Sequence, residues 1–241
     1  MPGPFDAEGE WLRCALHAHT TNSDGELAPS LLVRHYEWAG FDVLAITDHW
    51  VRTVEPSTGR LLVIPGTELN AQAGGPEHDA HVLALGVDAD PEPPANGFAP
   101  LEEVVAWIAS DDSHHPGYDS GHAWVWARCT ERTQAAVLDA LRKGRFYSSA
   151  GPEIHSLELD DGVLTVRCSP VASATLVAGP RRGARVNAGR LDYPHAAEIL
   201  DRDAAGAITA ARLERPWGAE YGRLELADSS GRKAWTNPVW P

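Results

Sequence analysis

Two hydrophobic periods divide this chain. Up to about residue 150, short apolar runs alternate with segments in which apolar residues recur every three or four positions; beyond it the period falls to two. The first texture predicts strands over Arg13–His19, Asp42–Ile46, the LLVIPGTE run ending on Glu68, the run starting at His81, and Trp124–Arg128. Between them Pro29 suits a first helical turn, Leu31, Leu32, His35 and Trp38 recur at helical spacing, and Gly40 stops the helix. His35 faces this stripe and reads as a core histidine. A second helix is predicted over Leu101–Ala109, and a third from an N-cap at Thr130 through Lys143, with Ala135, Leu138 and Leu141 facing its core. The Gly/Ala/Pro-rich stretch Asn70–Glu77, with His78 directly after it, and the proline-rich stretch Asp88–Pro100 read as loops.

After Arg145 the alternation is that of strands. Ile154–Leu159 and Val163–Val166 flank Asp161-Gly162, a hairpin with a D-G turn, and further strands are predicted at Thr175–Ala178, Ile208–Leu213 and Tyr221–Leu226. The expected organisation is an α/β domain over residues 1–151 and an all-β, sandwich-like domain over 152–241. Trp124, Trp126, Trp217, Trp235 and Trp240 stand in strand-like contexts and are expected to pack. His155 and His195, in the β-part, are expected to be structural or exposed.

Composition narrows the partners. A net charge of −14 disfavours a nucleic-acid backbone, so the expected ligand is a small molecule. Three widely spaced cysteines argue against a disulfide framework. No leader-like segment and no run of membrane-spanning length occurs, so a cytoplasmic protein without membrane contact is expected.

The candidate chemistry lies at the strand ends. His17 and His19 are two apart, so on a strand both rings project from one face. Asp24 follows in a Ser-Asp-Gly turn that can fold its carboxylate back over the strand end. His49 stands after the second strand, Glu68 ends the third, His81 opens the next, and Asp112 and His114 are again two apart. Imidazole and carboxylate donors in this mixture suit zinc, manganese or iron; the cysteines fall outside the motifs, which excludes an all-thiolate site. Eight donors are too many for one ion, and a carboxylate such as Glu68 can bridge two.

The series H-x-H-T-x-x-S-D-G, I-T-D-H, P-G-x-E, H-x-L-x-L-G and D-x-H resembles the PHP (polymerase and histidinol phosphatase) superfamily of metal-dependent hydrolases. ALRKGRFYSSAGPEI and GRKAWTNPVW are similar to the branch with an appended C-terminal β-domain, which includes phosphoesterases and some ester or carbamate hydrolases. The resemblance implies a distorted (β/α) barrel, here shortened, and two or three divalent ions. His17, His19, Glu68 and Asp112 would hold the first, Glu68 would bridge to a second that His81 also binds, and Asp24, His49 and His114 would surround the third. Family members usually carry a longer segment before D-x-H, with an H-P histidine for the second ion. Here about two dozen residues separate Gly86 from Asp112, without such a motif, leaving His78, His115 or His122 as substitutes.

The expected function is a metal-dependent phosphoesterase that hydrolyses a small, anionic phosphate ester through a metal-bound hydroxide, with His49 or His114 as candidate catalytic acid. The alternatives are a carboxylic ester or carbamate hydrolase, and a metal-binding protein without turnover.

Overall fold

A computed structural model describes residues 4–72, 79–91, 99–100, 110–179, 182–189 and 196–239. The predicted helix Leu101–Ala109, most of the proline-rich loop, His78, His195 and Trp240 lie outside the described residues. The chain forms two compact units, Glu8–Lys143 and Gly144–Pro241 with Met1–Ala7.

In the first unit, β1 (Glu10–Ala15), α1 (Pro29–Trp38), β2 (Val43–Ile46) and β3 (Leu62–Gln72) are followed by β4 (Asp79–Leu85), the two-residue β5 (Ala99–Pro100), β6 (Trp124–Cys129) and α2 (Gln134–Arg142). The sheet order is β6-β1-β2-β3-β4, with β5 beside β3. β1, β2 and β3 are parallel, while β4 and β6 run antiparallel to their neighbours.

That mixed sheet corrects the expected (β/α) barrel. A barrel closes when repeated strand-helix units return the last strand to the first. Here antiparallel strands flank the parallel core, two helices serve it among the described residues, and the strand order does not return on itself.

α1 begins with Pro29, whose missing N–H costs nothing in a first turn. Its buried face is Leu32, Val33 and Tyr36, packed on Leu44, Ile46, Leu61 and Val63. The predicted stripe is therefore rotated: Leu31 and Trp38 are exposed. His35 is half-buried and held by Ser120 at 2.7 Å, a satisfied structural histidine. The other sheet face carries α2, and Cys129 Sγ of β6 contacts the Ala136 carbonyl. Thr133, not Thr130, caps α2, accepting the Ala136 N–H, and the buried residues are Val137 and Ala140 rather than Ala135, Leu138 and Leu141.

The second unit comprises β7 (Phe146–Ser149), β8 (Ile154–Asp160), β9 (Val163–Val171), β10 (Ser173–Val177), β11 (Gly183–Asn187), β12 (Ala197–Arg202), β13 (Ile208–Glu214), β14 (Arg223–Ala227) and β15 (Lys233–Thr236). Strands β11-β10-β14-β15-β7 lie in order in one sheet; β12-β13-β9-β8 form a separate four-stranded sheet, and every pairing is antiparallel. Alternating residues of both, including Leu164, Val166, Leu176, Val186, Leu213, Leu224 and Leu226, are fully buried. The predicted D-G hairpin joins β8 to β9, and Asp161 and Gly162 take φ of 43° and 76°, as that turn requires. Trp217, expected in a strand, stands 95% exposed between β13 and β14. His155 is exposed as expected.

The units divide at Lys143–Gly144, ahead of the boundary expected at 151–152, because β7 pairs with β15. The T-N-P sequence near the end has a structural part in this: Asn237 Nδ2 donates to the Gly144 and Phe146 carbonyls at 3.1 and 3.3 Å. Replacing Asn237 with Ala should lower stability by about 1–2 kcal/mol, read as a shifted urea midpoint with an unchanged m-value.

Candidate metal centre

β1 and β2 end beside β3, and the donors collect there; Glu68, expected to end its strand, stands inside β3, which runs on to Gln72. β1 stops at Ala15, so His17 and His19 lie just past it, contrary to the longer strand expected. The segment keeps its course through Thr47, whose N–H donates to Ala18 O at 2.9 Å and whose hydroxyl accepts from Ala18 N. Ala18 also bridges to Ser113, and His19 N donates to Ser113 O at 2.9 Å, which brings the D-x-H segment alongside. His49 bridges to Glu68 in the same manner. Four sequence-distant pieces are thus tied by backbone before any donor atom is considered.

The side chains converge in two groups. In the first, His17 Nε2 and His19 Nε2 are 3.2 Å apart. Glu68 Oε2 lies 2.9 and 3.0 Å from them, and Asp112 Oδ1 3.1 and 3.2 Å. Donor atoms about 3 Å apart are at the spacing of ligands that share one ion at about 2 Å. The second group gathers around Asp24, whose Oδ2 lies 3.3 Å from His114 Nε2 and 3.5 Å from His49 Nε2, with His19 Nδ1 3.3 Å from its Oδ1. His49 Nδ1 is buried without a hydrogen-bond partner. His81 joins neither group: its Nδ1 closes on Glu68 Oε1, the oxygen turned away from the first. Of the possible substitutes, His115 sits by Glu26 and His122 by the Tyr118 carbonyl. The donor set and its spacing fit divalent cations.

Charge explains the cluster. Burial lowers the affinity of His19 for a proton, but hydrogen bonds with Asp112 and Glu68 outweigh it and raise the pKa to about 9. Burial would raise Glu68, yet hydrogen bonds from His17 and His19 hold it far below the usual carboxylate range. Asp112 is lowered by its hydrogen bond with His19. Asp24 is lowered too, against its partial burial, by His114, His19 and His49. These are carboxylates that need positive charge beside them.

Sequence reading passed over three carboxylates that frame the donors. Asp48 is fully buried and accepts from Thr20 N, Thr20 Oγ1 and Ser23 Oγ, each at 2.7 Å, and from the Thr53 hydroxyl. Asp111 accepts the Gly121, His122 and Ala123 N–H groups, and Asp119 accepts those of His114 and His115 with the Ser113 hydroxyl. Between them Asp112 takes a left-handed φ of 52°, a conformation that Asp tolerates better than most residues and that aims its carboxylate inward. The available signal was an acid beside each donor motif, in T-D-H and D-D-x-H.

Donors from the ends of β1 and β2, from within β3 and from two loops, focused on two points, define the class: a candidate divalent-metal centre. In motif order the chain resembles the PHP superfamily. No family model matches it. Over 81 residues it is 35% identical to Rnm, a 5′-3′ exoribonuclease of Salmonella typhimurium, a match spanning 30% of this chain and 27% of that relative. A crystal structure from Bacteroides vulgatus, of a two-domain protein containing a predicted PHP-like metal-dependent phosphoesterase, is 13% identical over 95% of each chain, with a TM-score of 0.45.

Asp48 offers a test of the frame. Asp48→Ala would strand one amide and three hydroxyls in a dry site, so it should cost about 3 kcal/mol or more, visible in chemical denaturation of the metal-free protein.

Proposed function

We propose that the chain is a metal-dependent phosphoesterase acting on a small phosphate ester, at a centre built from His17, His19, Asp24, His49, Glu68, His81, Asp112 and His114. The observation that carries this reading is the convergence of two buried imidazoles, 3.2 Å apart, with two carboxylates that each lie 2.9 to 3.2 Å from both of them, and a second donor group adjoining.

Divalent ions, when bound, supply Lewis acidity toward phosphoryl oxygens and lower the pKa of a coordinated water toward neutrality. The protein's part is to fix the donors and their protons. His114 Nδ1 donates to the Asp112 carbonyl at 2.9 Å, which leaves its Nε2 lone pair facing Asp24. His114 is therefore disposed as a ligand, and so is His49, whose Nε2 faces Asp24 at 3.5 Å; a metal-bound histidine cannot also be the acid, so the leaving group's proton is assigned to neither. Asp24 and Asp112 are about half exposed and His49 and His114 partly so, which opens the second group to solvent while Glu68 stays covered.

Two features bear on the substrate. The Salmonella relative is named for RNA, and its matched segment includes about a quarter of its length. Against a long polyanion stands the net charge of −14. A small phosphate monoester or diester is the favoured substrate, and a 5′-phosphorylated oligoribonucleotide belongs in the assay as the competing arm.

Two outcomes are expected. Elemental analysis of protein purified without chelator should find more than one divalent ion per chain, with His81→Ala losing one. A panel of nitrophenyl phosphates and nitrophenyl carboxylic esters, with added Mn²⁺ or Zn²⁺, should show turnover on the phosphates. Glu68→Gln should lower that turnover by about a thousandfold or more; near-normal turnover in this variant, or activity confined to the carboxylic esters, would refute the assignment.

A further inference from the structure

His19 belongs to both donor groups by distance, offering Nε2 to one and Nδ1 to the other. Neutral imidazole has one lone pair, so it can serve only one of them. Two observations decide which. The His19 and His114 rings are stacked, with centroids 4.1 Å apart and planes within 16°. A metal–imidazole bond lies near the ring plane, and planes stacked in this way do not meet at a point about 2 Å from both nitrogens. The His17 ring, by contrast, is tilted 51° to His19, and their two Nε2 atoms face each other at 3.2 Å.

The second observation is a chain of hydrogen bonds whose directions are fixed by chemistry. Asp48 has no solvent contact and four donors around it, so it is an acceptor. Ser23 Oγ has two carboxylate acceptors, Asp48 Oδ1 at 2.7 Å and Asp24 Oδ1 at 3.2 Å, and the shorter contact takes its single proton. Ser23 then has only lone pairs to offer His19 Nδ1, 3.3 Å away, and the other neighbour of that nitrogen, Asp24 Oδ1, is likewise an acceptor. Both neighbours demand a proton on Nδ1.

We infer that Asp48 and Ser23 form a relay that holds His19 as the Nδ1–H tautomer, dedicating its Nε2 to the His17/Glu68/Asp112 group and withholding it from the other. Asp24, His49 and His114 are then a separate group of three donors. Ser23 and Asp48 are positioning residues; they touch no substrate and act through the ring. The same lock, made with a carbonyl, holds His114. A partner on the far nitrogen of a metal-ligating histidine orients the ring and raises its basicity, an effect typically worth 10- to 100-fold in metal affinity.

The inference rests on the metal-binding reading above, and its test separates the two. Zinc-loaded full-length protein with ¹⁵N-labelled histidine is examined by two-bond ¹⁵N–¹H correlation, and zinc affinity is measured by chelator competition for wild type, Ser23→Ala and Ser23→Thr. The expected result is His19 protonated at Nδ1 and zinc-bound at Nε2. Ser23→Ala should bind zinc about 10- to 100-fold more weakly, with Ser23→Thr, which keeps the hydroxyl, restoring affinity. Coordination of His19 through Nδ1, or unchanged affinity in Ser23→Ala, overturns the relay while leaving the metal centre standing. No zinc bound by wild type overturns the metal centre itself, and the relay with it.

Discussion

The protein buries a carboxylate at the end of its central parallel strands, and much of the local structure answers that cost. Glu68 has no solvent exposure. An ion so placed loses several kcal/mol of hydration unless charge and hydrogen bonds offset it. The offset comes from His17 and His19 in one stretch of sequence and His81 in another. Bringing them together requires parallel strands with adjacent C-terminal ends, and it requires the bridges His49–Glu68 and Ala18–Ser113 to hold the segments beyond the strands in line.

Asp48, twenty residues earlier, is buried as deeply and solved differently. Its partners are hydroxyls and an amide, groups that neutralise a carboxylate by hydrogen bonds alone and leave nothing for a cation to do. Glu68 faces nitrogens that can exchange a proton for a metal. Two neighbouring acids therefore divide the work: one knits Thr20, Ser23 and Thr53 into a fixed turn, and the other shares its two oxygens between His81 and the first donor group. The turn fixed by Asp48 is the one that carries Asp24, so the first acid sets the geometry in which the second operates.

The donors were legible because their chemistry is local. H-x-H and T-D-H place ligands at strand ends and D-x-H places two on a loop, and the order of motifs carried the family resemblance. What was not legible was set by packing and by hydrogen bonds without a period. Leu31 and Trp38 share helical spacing with Leu32, yet the sheet selected Leu32, Val33 and Tyr36. Thr130 and Thr133 are equal as caps in sequence; the one whose hydroxyl reaches the Ala136 amide is decided by where β6 ends. Asp112 owes its inward aim to a left-handed backbone that two flanking acids hold, and no pattern of polarity announces that. The open sheet differs from the expected barrel because antiparallel β4 and β6 occupy its flanks, and strand direction is not written in an apolar run.

Charge also orders the events at this centre. The chain carries a net −14, and Asp24, Glu68 and Asp112 stand within the donor groups. Toward a phosphate ester such a site is repulsive, and His17, His19, His49, His81 and His114 cannot reverse that as neutral ligands. Divalent cations can, since each brings two positive charges to a place where carboxylates have already met the cost of desolvation. In the proposed phosphoesterase, cations that displace the proton His19 otherwise holds would supply the positive charge a phosphate ester meets. The partly exposed Asp24, His49 and His114 are the face on which a phosphate would then meet positive charge, while Glu68 remains behind it, out of water.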